Sequence, residues 1–241
     1  MKYEIRGTLT PHVEVQLGPG ETVVTESGAM AWMDAGVTMS TSAPGGIGGA
    51  LSRKLSGEGV FVTKFTSELG GDTVVFVPEV PGTIVALELG HGESVIAQKD
   101  AFLASEESVT YAMEFKRKLG AGMFGGEGFI LQKFTGPGTV FAGIGGEVQE
   151  TMLSAGQTLK IDPGHLAMFE PSVDYDISSV KGIGNILFAG EGLFLATVTG
   201  PGKFVVRFSR SRQSTTPPGS PETLVSTGNI FTTRGHPRKR V

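Results

Sequence analysis

Short runs of alternating apolar and polar residues recur along the chain. Val13, Val15 and Leu17 alternate with Glu14 and Gln16, and Val85, Leu87 and Leu89 alternate with Ala86 and Glu88. A period of two places one side of a strand on a core and the other toward solvent. Each run is bounded by Gly or Pro, residues that turn a chain back on itself. Helical spacing with capping residues is nowhere sustained. The pattern predicts an all-β protein of many short antiparallel strands.

The runs belong to a longer period. GEGVFVTKFT (Gly57–Thr66), GEGFILQKFT (Gly126–Thr135) and GEGLFLATVT (Gly190–Thr199) align without gaps. The second and third continue into Gly136-Pro137-Gly138 and Gly200-Pro201-Gly202, while the first enters a longer turn, Ser67 to Asp72. Pro19-Gly20-Glu21, His91-Gly92-Glu93 and Ala155-Gly156-Gln157 likewise close strands ending in Leu17, Leu89 and Leu153. GAMAWMDAGV (Gly28–Val37), DAFLASEESV (Asp100–Val109) and GHLAMFEPSV (Gly164–Val173) coincide at the same separations. Repetition at a fixed period defines the architecture before any single motif does.

These alignments predict three tandem β-units, 1–80, 81–145 and 146–208. A lone unit of this size leaves sheet edges and an apolar face uncovered. Packing three antiparallel sandwich or barrel units around a pseudo-threefold axis would cover them. From 209 to 241 the pattern stops, and the Pro, Ser, Thr and basic composition predicts a flexible tail.

Composition narrows the chemistry. Glycine, at 37 residues in 241, suits many turns, and cysteine is absent. That removes disulfides, thiolate nucleophiles and Cys-based metal sites. The net charge of −4 divides into +5 for 209–241 and −9 for the rest. An acidic body argues against a broad surface that tracks phosphates, and so against nucleic acid as a partner. No apolar run has the length of a transmembrane helix, and the first residues carry neither a signal core nor an Arg-rich amphipathic stretch. The expected location is cytoplasmic.

In the order and triple occurrence of Gly57-Glu58-Gly59, Gly126-Glu127-Gly128 and Gly190-Glu191-Gly192, with Gly20-Glu21 and Ser27-Gly28-Ala29-Met30, the sequence resembles the "altered inheritance of mitochondria" family over residues 1–208. The resemblance implies a fold similar to the tryptophan RNA-binding attenuation protein, with copies around a pseudo-threefold axis and further oligomerisation. Its prokaryotic members are uncharacterised cytoplasmic proteins, so it supplies no chemistry. The basic tail departs from the family's repeated body.

Three glutamates, Glu58, Glu127 and Glu191, are the leading binding candidates. A threefold arrangement would gather three carboxylates, the oxygen-rich setting that hard cations require. The flanking glycines equally suit a tight turn in which each Glu simply faces water. Beside them run glycine-rich loops that pair apolar with basic residues: Ile47 and Leu51 with Arg53 and Lys54; Met123 and Phe124 with Lys116, Arg117 and Lys118; Ile183 with Lys181. None has the Lys-Ser/Thr or strand-to-helix context of a phosphate cradle. The pairing predicts contact with an anionic membrane surface or a protein partner. Burial in an interface, with the cations guarding strand edges, is the competing reading.

His12, His91, His165 and His236 are scattered and make no ligand set, so no metal or cofactor is expected. No nucleophile elbow or triad spacing is present. The sequence thus points to a non-catalytic, self-associating scaffold or interaction protein. A module binding small ligands between β-units is the alternative, with RNA binding behind it.

Overall fold

The computed structural model describes residues 1–26, 28–42, 62–117, 129–179 and 194–208. Seven strands come first: β1 (Lys2–Arg6), β2 (His12–Leu17), β3 (Glu21–Glu26), β4 (Met30–Met33), β5 (Val37–Ser42), β6 (Val62–Ser67) and β7 (Asp72–Phe76). β8 (Gly82–Leu89), β9 (Ser94–Gln98), β10 (Phe102–Glu106), β11 (Thr110–Arg117), β12 (Phe129–Thr135) and β13 (Gly138–Gly145) follow. The last six are β14 (Glu147–Leu153), β15 (Thr158–Ile161), β16 (Leu166–Phe169), β17 (Asp174–Ser179), β18 (Phe194–Thr199) and β19 (Gly202–Phe208). Single 3-10 turns at Lys99–Ala101 and Pro163–His165 lead into β10 and β16. The protein is all-β, as the alternating pattern predicts.

Among the described residues every strand pairing is antiparallel, and the strands form four sheets. Their orders are β1-β2-β7-β4, β5-β6-β3-β10-β13-β8, β11-β12-β9-β16-β19-β14 and β15-β18-β17. The two six-stranded sheets are each stitched at a non-local junction. β10 joins β3 through Ser105 opposite Val24, and β16 joins β9 through Phe169 opposite Ile96. Side chains cross these junctions: Gln98 Nε2 donates to the Pro163 carbonyl at 2.8 Å, and Thr25 Oγ1 donates to the Leu103 carbonyl.

Three apolar clusters lie between the sheets. The first joins Val13, Val15 and Leu17 of β2 to Val23, Phe65, Val74 and Phe76, and also to Ile84, Leu103 and Phe141. The second gathers Phe129, Leu131, Leu153, Phe169, Val198 and Phe204, and the third Val95, Phe134, Val140, Met168 and Val205. Full burial of each such side chain contributes roughly 1.5–3 kcal/mol. Strand β2 matches its pattern, with Val13, Val15 and Leu17 buried and Gln16 exposed. Strand β8 does more than its pattern predicts. Val85, Leu87 and Leu89 line the third cluster, while Ile84 and Ala86 on the opposite face serve the first.

Glycine fixes three of the turns. Gly20, Gly92 and Gly156 have φ of 72°, 76° and 75°, a region that side chains with a Cβ avoid. One residue on, Glu21, Glu93 and Gln157 reach back, accepting from the N–H of Gly18 (2.7 Å), Gly90 (2.9 Å) and Ser154 (3.0 Å). The next residues pair hydroxyls across the ladder: Thr22 with Thr66 at 2.8 Å, Ser94 with Thr135 at 2.8 Å, Thr158 with Thr199 at 3.1 Å. The final threonine of each GEG segment is thus a cross-strand hydrogen-bonding partner.

Candidate functional site

A cleft of about 700 Å³ opens where distant parts of the chain meet. Its walls come from the end of β3 and the start of β4, the link between β7 and β8, the 3-10 turn before β10, the end of β13, and Arg207 on β19. Glu26, Glu79 and Asp100 supply carboxylates, Lys99 and Arg207 supply cations, and Phe102 and Leu103 supply apolar wall.

Arg207 is the best anchored of these. Its Nε donates to the Gly164 carbonyl at 2.7 Å, and Nη1 lies 3.4 Å from the Asp100 carboxylate. The side chain is only 11% exposed. Its own carbonyl lies 2.6 Å from His165 Nδ1. A guanidinium fixed in this way is a preorganised donor. Mixed charge on apolar walls suits a small polar or zwitterionic molecule better than a polyanion. Among the described residues no three His, Asp or Glu stand together as a metal ion would require, and no helix is long and apolar enough to cross a membrane.

Glu58, Glu127, Glu191, Ile47, Leu51, Arg53, Lys54, Lys118, Met123, Phe124, Lys181 and Ile183 fall outside the described residues, as does the tail from 209. Lys116 and Arg117 are the last two residues of β11. The segments that carry these residues are bounded by paired strand ends, Ser42 opposite Val62, Arg117 opposite Phe129 and Ser179 opposite Phe194. Each therefore connects the two arms of an antiparallel hairpin. His91 lies in the turn before β9, and His12 Nε2 lies 3.4 Å from Glu14. Arg207 escaped the sequence reading. Its trace was a cation in a column that holds Val77 and Gly143 in the aligned strands.

The fold and cleft describe an all-β protein of four antiparallel sheets. A crystal structure of a Streptococcus pyogenes protein shares this fold, with a TM-score of 0.70 and 30% identity, covering 86% of this chain and 93% of that one. The chain belongs to the Mitochondrial biogenesis AIM24 family, whose model matches residues 3–207. An uncharacterised protein of Streptococcus pyogenes serotype M6 is 34% identical over 216 residues, 86% of this chain and 85% of the relative.

Proposed function

We propose that the protein is a cytoplasmic, non-catalytic scaffold, made of three copies of one β-unit and acting as a homo-oligomer. The observation that carries this reading is the recurrence of one pairing scheme. β2 pairs with β7, β8 with β13 and β14 with β19; β3 pairs with β6, β9 with β12 and β15 with β18. The register irregularity in the third strand of each set, β4, β10 and β16, falls at aligned positions, Met30/Trp32, Phe102/Ala104 and Leu166/Met168. Modules that share sheets with their neighbours form extended surfaces and assemblies. Sedimentation velocity on the full chain tests the reading: a mass of two or more chains is expected at micromolar concentration. A single 25.2 kDa species at every concentration would end it.

The cleft at Arg207 supports a second reading, a small-ligand module with its site between units. Thermal-shift screening against amino acids and other small zwitterions tests it, because a ligand specific for the native state raises the melting point. The expected pattern is a rise in the native protein that is lost in Arg207→Met.

A further inference from the structure

We propose that a second copy of this chain docks edge to edge, its β4 (Met30–Met33) adding to β15 (Thr158–Ile161) to make one continuous seven-stranded sheet across two molecules. The proposal rests on the oligomeric reading above and names the surface involved.

The junction is already used twice within one chain. β10 adds to β3 and β16 adds to β9, both antiparallel. The turn and strand alignments place Val24, Ile96 and Lys160 in one column, and Met33, Ser105 and Phe169 in another. Ser105 opposite Val24 and Phe169 opposite Ile96 are therefore the same register. Three units in series contain three edges of each kind but only two internal junctions. The edges left over are β4, which ends the first sheet, and β15, which begins the last. Among the described residues neither has a ladder partner on its outer side.

Burial follows the same division. At the internal junctions Val23, Val24 and Thr25 of β3, and Val95, Ile96 and Ala97 of β9, are buried, as are Ala104 and Met168 opposite them. At the two ends, two of the aligned side chains are open to water. Trp32, in the column of Ala104 and Met168, is 49% exposed, and Leu159, in the column of Val23 and Val95, is 37% exposed. An unpaired edge with aromatic and aliphatic side chains is a template for strand addition. Lys160 stands where Val24 and Ile96 are buried, and a lysine on an edge discourages indiscriminate pairing. Its alkyl stem still covers a strand laid beside it while the amine reaches water. The contact is head to tail, so it forms rings if the rotation closes and filaments if it does not.

Applied to the ends, the shared register sets Met33 opposite Lys160 and Trp32 opposite Ile161 of the neighbouring copy. Directly opposed residues on antiparallel strands have Cβ atoms about 4.5–5.5 Å apart. The chain has no cysteine, so introduced thiols are the sole reactive pair. Met33→Cys and Lys160→Cys chains, co-expressed, purified together and treated with a short thiol cross-linker, are expected to give a dimer with one chain of each kind. Each variant alone is expected to stay uncross-linked. An oligomer of native mass that yields no mixed dimer overturns the edge assignment and leaves the oligomeric reading standing. Cross-linking of either variant with itself, or within a single chain carrying both cysteines, overturns it as well. A mass of one chain at all concentrations overturns both. Trp32 is the chain's one tryptophan, so its emission should shift to shorter wavelength as the mass rises.

Discussion

Gly200 packs against Ser154 so closely that a Cβ on the glycine would stand 2.5 Å from the serine carbonyl oxygen. Gly136 bears the same relation to Gly90, again at 2.5 Å. In both places the turn after β12 or β18 lies on the backbone of the turn that follows β8 or β14, and Gly200 N–H donates to the Gln157 carbonyl at 3.0 Å. Backbone cannot swing aside as a side-chain tip can. Gly136→Ala and Gly200→Ala are each expected to cost about 2–3 kcal/mol, in the range of overpacking. Gly143→Ala, whose Cβ would meet Pro78 side-chain carbons at 3.0 Å, should cost less. Urea unfolding midpoints measure the difference.

Glu21 is the carboxylate whose titration should be felt in stability. The Gly18 N–H, and after it the Met1 amino group at 2.9 Å, hold its pKa below the usual carboxylate range. A depressed pKa in the folded state means that the unfolded chain binds the proton first. The contribution is fully present above the unfolded value, about 4.3 for Glu, and is lost as pH falls through the lower folded value. Unfolding free energy measured from pH 6 down to pH 3 should therefore decline less steeply in Glu21→Gln than in the native protein. Equal slopes would show that the carboxylate is not coupled to folding.

The buried hydrogen bond from Gln98 to Pro163 ties β9 to the turn that leads into β16. Gln98→Leu removes the donor and leaves a buried carbonyl without that partner, a loss of about 1–3 kcal/mol. Gln98→Glu is expected to be worse, because a carboxylate cannot donate to a carbonyl unless it takes up a proton. Thermal unfolding of the two variants gives the order.

Legibility in the sequence followed the range of the interactions. The turn glycines were visible because φ near 75° is a local demand, and Gly20, Gly92 and Gly156 meet it at the predicted positions. The alternation of Val13, Val15 and Leu17 was visible because β2 packs one face on a core. The double duty of β8 was hidden, since a period of two reports only which residues differ from their neighbours. Ile84 and Ala86 look like interruptions until a second apolar layer is laid against them. The junction of β10 with β3 joins residues some eighty positions apart, and no local pattern encodes that distance. The cleft was hidden for a related reason. Glu26, Glu79, Asp100 and Arg207 are unremarkable one by one and become a site only when five segments converge. Alternation and turn glycines made the strands easy to read, whereas no local pattern marked Arg207 as part of the cleft.

The sheets with apolar clusters against both faces also set where the chain can drift. Consecutive residues Thr139–Ala142 of β13 and Leu166–Phe169 of β16 are all buried, so a polar side chain there needs a partner inside, as Thr139 has in the Glu106 carboxylate at 3.2 Å. In β1, where every residue is exposed, the same replacement meets water except at Tyr3, whose ring packs edge-on against Phe141 at 4.9 Å. A saturating substitution library should accordingly return a near-empty stripe through the middle strands and wide variation at the amino-terminal strand, Tyr3 apart. Selection on such a molecule has its innovations confined to the rim.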